Sequence, residues 1–425
     1  MNLKKTRNRC AVFLVTIVLL ASCVDVRVDE DTIVEDRTFE NRTDFVFPVG
    51  YEDFHDDEAM NFLLNRAYSM GYARHEDMVA AGRRIESRDD LQTEMVKLAD
   101  AAVADERFMN AALYYRTAEF YMPWSDPDKA ILYDWFIKYF YLAVDDDDFE
   151  TEDVPFGSTV LPVIRIVPQD GEYKGTIILH AGYDGFKEEL YSIMRYLSTY
   201  GYEVINFDVP WMGRDRTPDT EMLIYEWEKL IGALLDYYEL DDVSIFGLSM
   251  GGWLALRAAA HEPRISRVIA SSVSFDVNQY VGGFAQFVVK FARTNLRTMA
   301  NKQIIKQMES DPQMAWFFDH LMHVTNKTVP IEAADVLAEI NEENLHSDLV
   351  TQDVLILTGK DDHLVPFKMH NMQVKALENA ASVTPMVFTS EVHGENHCQI
   401  GNLGLALSVV VEWLGDWSDS LLMSD

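Results

Sequence analysis

A chain of 425 residues exceeds one compact domain of ordinary size, and an apolar fraction of 48% supplies core for two units. Its 70 acidic against 36 basic side chains give a net charge of -34, which argues against nucleic acid or anionic lipid surfaces as partners because each would repel it. One of the three cysteines lies inside a leader and one at its end, so Cys398 is left alone and no disulfide framework is expected.

Residues 1–22 read as a secretion signal. Lys4, Lys5, Arg7 and Arg9 precede the apolar run "AVFLVTIVLL", which is too short to span a bilayer as a mature helix. The run closes on Leu20-Ala21-Ser22-Cys23, which resembles the bacterial lipobox, so Cys23 is the expected lipidation site. The expected location is the bacterial cell envelope, periplasmic or at the outer-membrane surface, held by a lipid anchor. Residues 23–45 are acidic with little apolar periodicity and predict a flexible tether.

Residues 46–150 predict a helical domain. In "DERFMNAALYYRTAEFYM" apolar side chains recur three and four apart, and the pattern breaks at Pro123. Asp126 before Pro127 predicts a cap for the next helix, and "AILYDWFIKYFYLAV" is aromatic on most faces, which predicts a helix sandwiched between neighbours. "DDDDFETED" lacks the alternating ligands and central glycine of a calcium loop and reads as a solvated linker.

From residue 151 to 425 short β-rich runs alternate with helical segments: "TVLPVIRIV", "GTIILHAG", "EVINFDVP", "VSIFGLS", "RVIASSVSF", "DVLILTG" and "TPMVFTS". Such alternation predicts an α/β fold, a mostly parallel sheet with helices on both faces. The interval of about 276–350 is too long and too helical for a simple crossover, and it predicts an insertion over the sheet's carboxyl edge, the place of a lid.

At Gly247-Leu248-Ser249-Met250-Gly251 a strand runs into a helix. The G-x-S-x-G pattern there is a nucleophile elbow, a turn so tight that flanking side chains would collide while the serine projects above the sheet. Serine needs a base, and the base needs an orienting acid. "TGKDDHLVP" offers Asp361 and Asp362, of which Asp362 is expected to act; "EVHGENHCQIGN" offers His393 and His397, of which His397, nearer the closing helix, is expected. The oxyanion donors expected are the backbone N–H groups of Met250 and of Tyr183 in "HAGYDG". A metal site of His393, His397, Cys398 and Asp362 or His363 is disfavoured because a glycine-containing loop carries the ligands, so neither metal nor cofactor is expected. Cys398 is expected to be a buried, inert thiol.

Together "HAGYDGFKEELY", "GLSMGGWLALRAAAHEPRI", "TGKDDHLVP" and "HCQIGN", preceded by "NAALYYRTAEFYM", resemble the α/β-hydrolases with an N-terminal helical domain, the group containing 2,6-dihydropseudooxynicotine hydrolase and fungal polyketide-shortening hydrolases. The resemblance runs from about Asp105 to the C-terminus. It implies the triad Ser249, Asp362 and His397, a helical domain over the site, a small-molecule substrate, no metal and often a homodimer. The activities it implies are hydrolysis of esters, amides or a carbon–carbon bond beside a ketone. Two departures stand out: Asp208-Val209-Pro210-Trp211-Met212-Gly213 replaces the group's frequent Asp-Gly-Pro-Gly turn, and the lipobox is foreign to its cytoplasmic members. The competing expectation is a non-catalytic ligand-binding lipoprotein built on the same shell.

Overall fold

The computed structural model describes residues 32–145, 149–169, 172–209 and 226–422. Cys23, the signal and most of the departing turn, Trp211 included, lie outside the described residues. Five helices come first: α1 (Glu58–Ser69), α2 (His75–Gly82), α3 (Arg88–Ala104), α4 (Phe108–Glu119) and α5 (Pro127–Ala143). Asp126 caps α5 as its sequence demands, its side chain accepting from the Asp128 N–H at 3.0 Å with Pro127 in the first turn.

The sandwiched helix is α4, not α5. Every residue of α4 from Ala111 to Glu119 is buried, because Ala111, Ala112 and Ala118 let neighbouring elements approach closely between its larger side chains. By contrast α5 buries one face through Leu132, Phe136 and Phe140 and leaves Ile131, Trp135 and Leu142 exposed.

Eight strands form one sheet: β1 (Glu150–Phe156), β2 (Thr159–Ile166), β3 (Gly175–His180), β4 (Tyr202–Phe207), β5 (Val243–Leu248), β6 (Ile265–Ser271), β7 (Asp353–Gly359) and β8 (Ser382–Phe388). Their order is β1-β2-β4-β3-β5-β6-β7-β8, antiparallel through β4 and parallel from there on. Each of the seven predicted runs contains a strand. The eighth, β1, occupies the stretch expected to be a linker, where its acids point from an exposed edge while Val154 is buried.

β4, β5 and β7 are buried along their whole length, so their apolar runs are continuous. Alternate residues still serve opposite faces. Ile177, Leu179, Leu355 and Leu357 join a core with α1–α5, α6 (Tyr191–Ser198) and α15 (Leu403–Leu422). Ile178, Val354 and Ile356 join a second with α7 (Trp227–Tyr237), α8 (Met250–Ala259) and α14 (Lys368–Ala376).

Between β6 and β7 the predicted insertion is helical: α9 (Gly283–Asn295), α10 (Arg297–Ser310), α11 (Pro312–Val324), α12 (Pro330–Leu337) and α13 (Glu342–Leu345). The N-terminal segment departs from a free tether. Ile33 bridges to Val387 of β8, Val34 and Phe47 are buried, and the Tyr196 and Tyr200 hydroxyls donate to the Glu40 carbonyl at 3.2 and 2.6 Å. From Ile33 onward the apolar residues among the acids dock as a strap, since burying them outweighs the local polarity.

Candidate active site

The sheet reverses its winding at β3, which pairs with β4 on one side and β5 on the other. Loops leaving the carboxyl ends of two such strands diverge and open a crevice between them. The register sets His180 of β3 opposite Gly247 of β5, so the loop Ala181–Gly185 and the Ser249 turn stand side by side above that crevice.

Ser249 has φ 61° and ψ -123°, a strained conformation for a residue with a side chain. Its flanking glycines are steric requirements. A Cβ on Gly247 would lie 2.0 Å from the Gly251 carbonyl oxygen, and one on Gly251 would lie 2.6 Å from the Ala181 oxygen and 2.9 Å from His180 Nδ1. Gly182 is as tightly held: its Cβ would fall 2.9 Å from Ser249 Cβ and 3.1 Å from Met250 N. The backbone that carries Tyr183 thus runs directly against the start of α8, where helix N–H groups and the macrodipole favour negative charge.

His397 follows β8 in a short 3-10 turn, and its Nδ1 lies 2.8 and 3.0 Å from the two carboxylate oxygens of Asp362, whose side chain is fully buried. Asp362 also accepts from the Leu364 and Val365 N–H groups at 2.9 and 2.8 Å. Burial raises the Asp362 pKa, but the His397 charge and these hydrogen bonds outweigh it and hold the carboxyl below the usual carboxylate range. Burial likewise opposes a charged His397, yet Asp362 holds its pKa well above that of an ordinary histidine. Asp361 and His393 are both exposed and take no part in this pair.

Ser249, Tyr183, Met250 and His397 line one cavity of about 1020 Å³ between the sheet edge, α1 and the insertion. Its walls are mainly apolar; Phe62 of α1 packs edge-on to His363, ring centroids 4.6 Å apart, and lies 6.0 Å from the His397 ring. Cys398 differs from expectation: it is half-buried, lines the cavity beside His397, and its N–H donates to Ser272 Oγ at 2.9 Å.

Several residues that hold the site went unnoticed in the sequence. Arg66 of α1 forms ion pairs with Asp184 at 2.9 Å and Glu189 at 2.8 Å, and Arg116 of α4 donates to the Asp184 carbonyl at 2.6 Å and to Glu189 at 2.9 Å. Glu119 closes the chain of alternating charges by pairing with Arg116 and Lys129. His320 of α11 lies between Trp124 Nε1, which donates to its Nδ1 at 3.0 Å, and the Tyr183 carbonyl, to which its Nε2 donates at 3.0 Å. The Tyr183 hydroxyl donates to the Phe317 carbonyl at 3.2 Å. Arg66 is separated from Asp184 by 118 positions and His320 from Tyr183 by 137, beyond the reach of any local pattern.

A sheet that reverses at β3, a strained serine at the carboxyl end of β5 and a helical insertion before β7 define an α/β-hydrolase. Residues 171–393 match the family described as serine aminopeptidase, S33, and the chain belongs to that family. Among its relatives are the alpha/beta hydrolase psoB of Aspergillus fumigatus, 25% identical over 60% of this chain and 62% of that one, and the 20-hydroxy-prefusarin hydrolase of Gibberella moniliformis, 26% identical over 65% and 71%. The matches to psoB and to the next relative, a Fusarium hydrolase, span 62% and 49% of those proteins' lengths. The solved 2,6-dihydroxy-pseudo-oxynicotine hydrolase shares the fold at 20% identity and a TM-score of 0.59, covering 83% of this chain and 95% of the other.

Proposed function

We propose that this protein is a lipid-anchored serine hydrolase acting on a small, mainly apolar molecule with an ester, an amide or a carbon–carbon bond beside a ketone. The observation that carries this reading is the strained Ser249 sharing one cavity with a His397 whose Nδ1 is held by the buried Asp362.

In this mechanism His397 Nε2 takes the Ser249 Oγ proton as the oxygen attacks the substrate carbonyl. Asp362 fixes the Nδ1–H tautomer and balances the imidazolium. The N–H groups of Met250 and Tyr183 stabilise the oxyanion, whose collapse expels a leaving group protonated by His397. Water, deprotonated by His397, then releases the acyl group. The carbon–carbon alternative needs a leaving carbanion delocalised into a ketone of the substrate.

Intact-mass spectrometry after fluorophosphonate treatment tests the proposal: one adduct on wild type, mapped to Ser249 and lost in folded Ser249→Ala. No adduct on a folded wild type whose cavity admits other ligands would favour the ligand-binding lipoprotein instead. The anchor is read separately, by incorporation of a labelled fatty acid that Cys23→Ser abolishes.

A further inference from the structure

From Val277 to Met308 the chain carries Lys290, Arg293, Arg297, Lys302 and Lys306 and no acidic residue, although acids outnumber bases 70 to 36 in the whole protein. Nearly all of this stretch is α9 and α10. Phe284, Phe287 and Phe291 stand three and four residues apart on one face of α9 and are 79%, 63% and 45% exposed. Their rings stack with centroids 6.2 and 6.1 Å apart, and the exposed Leu296 and Met299 carry the strip into α10. The other face of α9 is a wall of the cavity, through Val289 and Ala292.

Five large apolar side chains left in water, flanked by cations, are the pattern of a helix that lies in the plane of a bilayer. We propose that α9 and the start of α10 form a docking face for an anionic lipid bilayer. The phenylalanine strip enters the boundary between headgroups and acyl chains, and the exposed Lys290, Lys302 and Lys306 meet lipid phosphates. Arg293 of α9 and Arg297 of α10 share Asp335 of α12, at 3.6 and 2.7 Å, which ties both helices to α12.

The charge decides the occupant. With Arg293 and Arg297 paired to Asp335, a second copy of this chain in a two-fold contact would set Lys290, Lys302 and Lys306 against the same three lysines, whereas an anionic leaflet is their complement. The face also differs from the rest of the surface, which such a leaflet repels. It lies on the membrane without crossing it: among the described residues no helix is long and apolar enough to span, and α9 has 13 residues. Lys290, Leu296 and Met299 also border the cavity that holds Ser249 and His397, whereas Phe284, Phe287, Phe291, Lys302 and Lys306 do not line it, so the face can be probed at these positions without altering the cavity wall.

The test places a reporter on the face itself, so vesicle contact made by the leader alone gives no signal. The full chain carrying Ser249→Ala and Phe287→Trp is titrated with vesicles of phosphatidylglycerol and phosphatidylethanolamine, and the emission of the protein with Phe287 intact is subtracted. The expected result is a blue shift that brominated acyl chains quench. Its lipid midpoint rises about tenfold or more with Lys302→Glu/Lys306→Glu, or with phosphatidylcholine vesicles in place of the anionic ones. An unshifted, unquenched difference spectrum on saturating vesicles overturns the proposal. So does a blue shift without lipid that follows dimer formation in analytical ultracentrifugation, which assigns the face to a second copy.

Discussion

Ser249 keeps its unusual backbone because Gly247 and Gly251 have no Cβ to place in space already filled. Gly251→Ala forces a methyl into the Ala181 carbonyl and His180 Nδ1, so it is expected to lower the melting temperature and cut fluorophosphonate labelling at least tenfold. Unchanged labelling would mean that the elbow relaxes without cost. At His397 the sign of the pH effect follows from Asp362: the carboxylate raises the imidazole pKa, so the neutral base is lost as pH falls through that raised value. Asp362→Asn removes the charge and moves this acidic limb of kcat/KM to lower pH, with kcat reduced by about three to four orders of magnitude. A limb that stays in place would assign it to another group. Position along the chain singled out Asp362 over Asp361 and His397 over His393 in the sequence, but the physical difference between the two adjacent acids was not legible there, since they differ only in which way the turn points them. Burial separates them: Asp362 is enclosed and Asp361 is in water.

Elements built from local pattern were legible, and those built from distant partners were not. The caps of α5 and the strand-to-helix turn at Ser249 are written in adjacent residues; β1 and the strap are acidic stretches whose few apolar residues matter only once β2 and β8 are in place. The hold of α1 and α4 on the loop Ala181–Gly185 is of the second kind. Arg66→Met strips a buried carboxylate pair of one cation, so it is expected to destabilise the fold by about 3–5 kcal/mol. It should also lower kcat more than it raises KM, because Asp184 sits next to Tyr183. Arg66→Lys restores stability in part but not the two-pronged geometry, which separates positioning from mere charge. Equal kcat in folded Arg66→Met would show that the loop holds itself.

For the molecule as a whole, buried histidines set the response to acid. His180, His320, His363 and His370 are each brought down to about 4, with burial as the largest cause. Unfolded, they take up protons near pH 6.5; folded, they do not until about 4, so their contribution to stability is present above 6.5 and is lost as pH falls from there towards 4. Glu119, Asp184 and Asp362, held below their ordinary values, add a further loss below the usual carboxylate range. His397 has the opposite sign, its contribution fading as pH rises through its raised value. Thermal unfolding followed from pH 7 to pH 4 should show a steady fall in Tm; a constant Tm would mean that these histidines open to solvent in the native state.

The strap that starts at Ile33 also limits distance. Val387, its partner, is at the carboxyl end of β8, the same edge of the sheet that carries Ser249 and the insertion. Ten peptide steps separate Cys23 from Ile33, a leash of at most about 35 Å even when fully drawn out. With Cys23 acylated, Ile33 stays within about one bilayer thickness of the lipid, with the open edge on the short side of the leash. Contact between α9 and the leaflet then becomes an intramolecular event at high effective concentration, and a patch too weak to recruit the protein from solution is strong enough to hold its orientation.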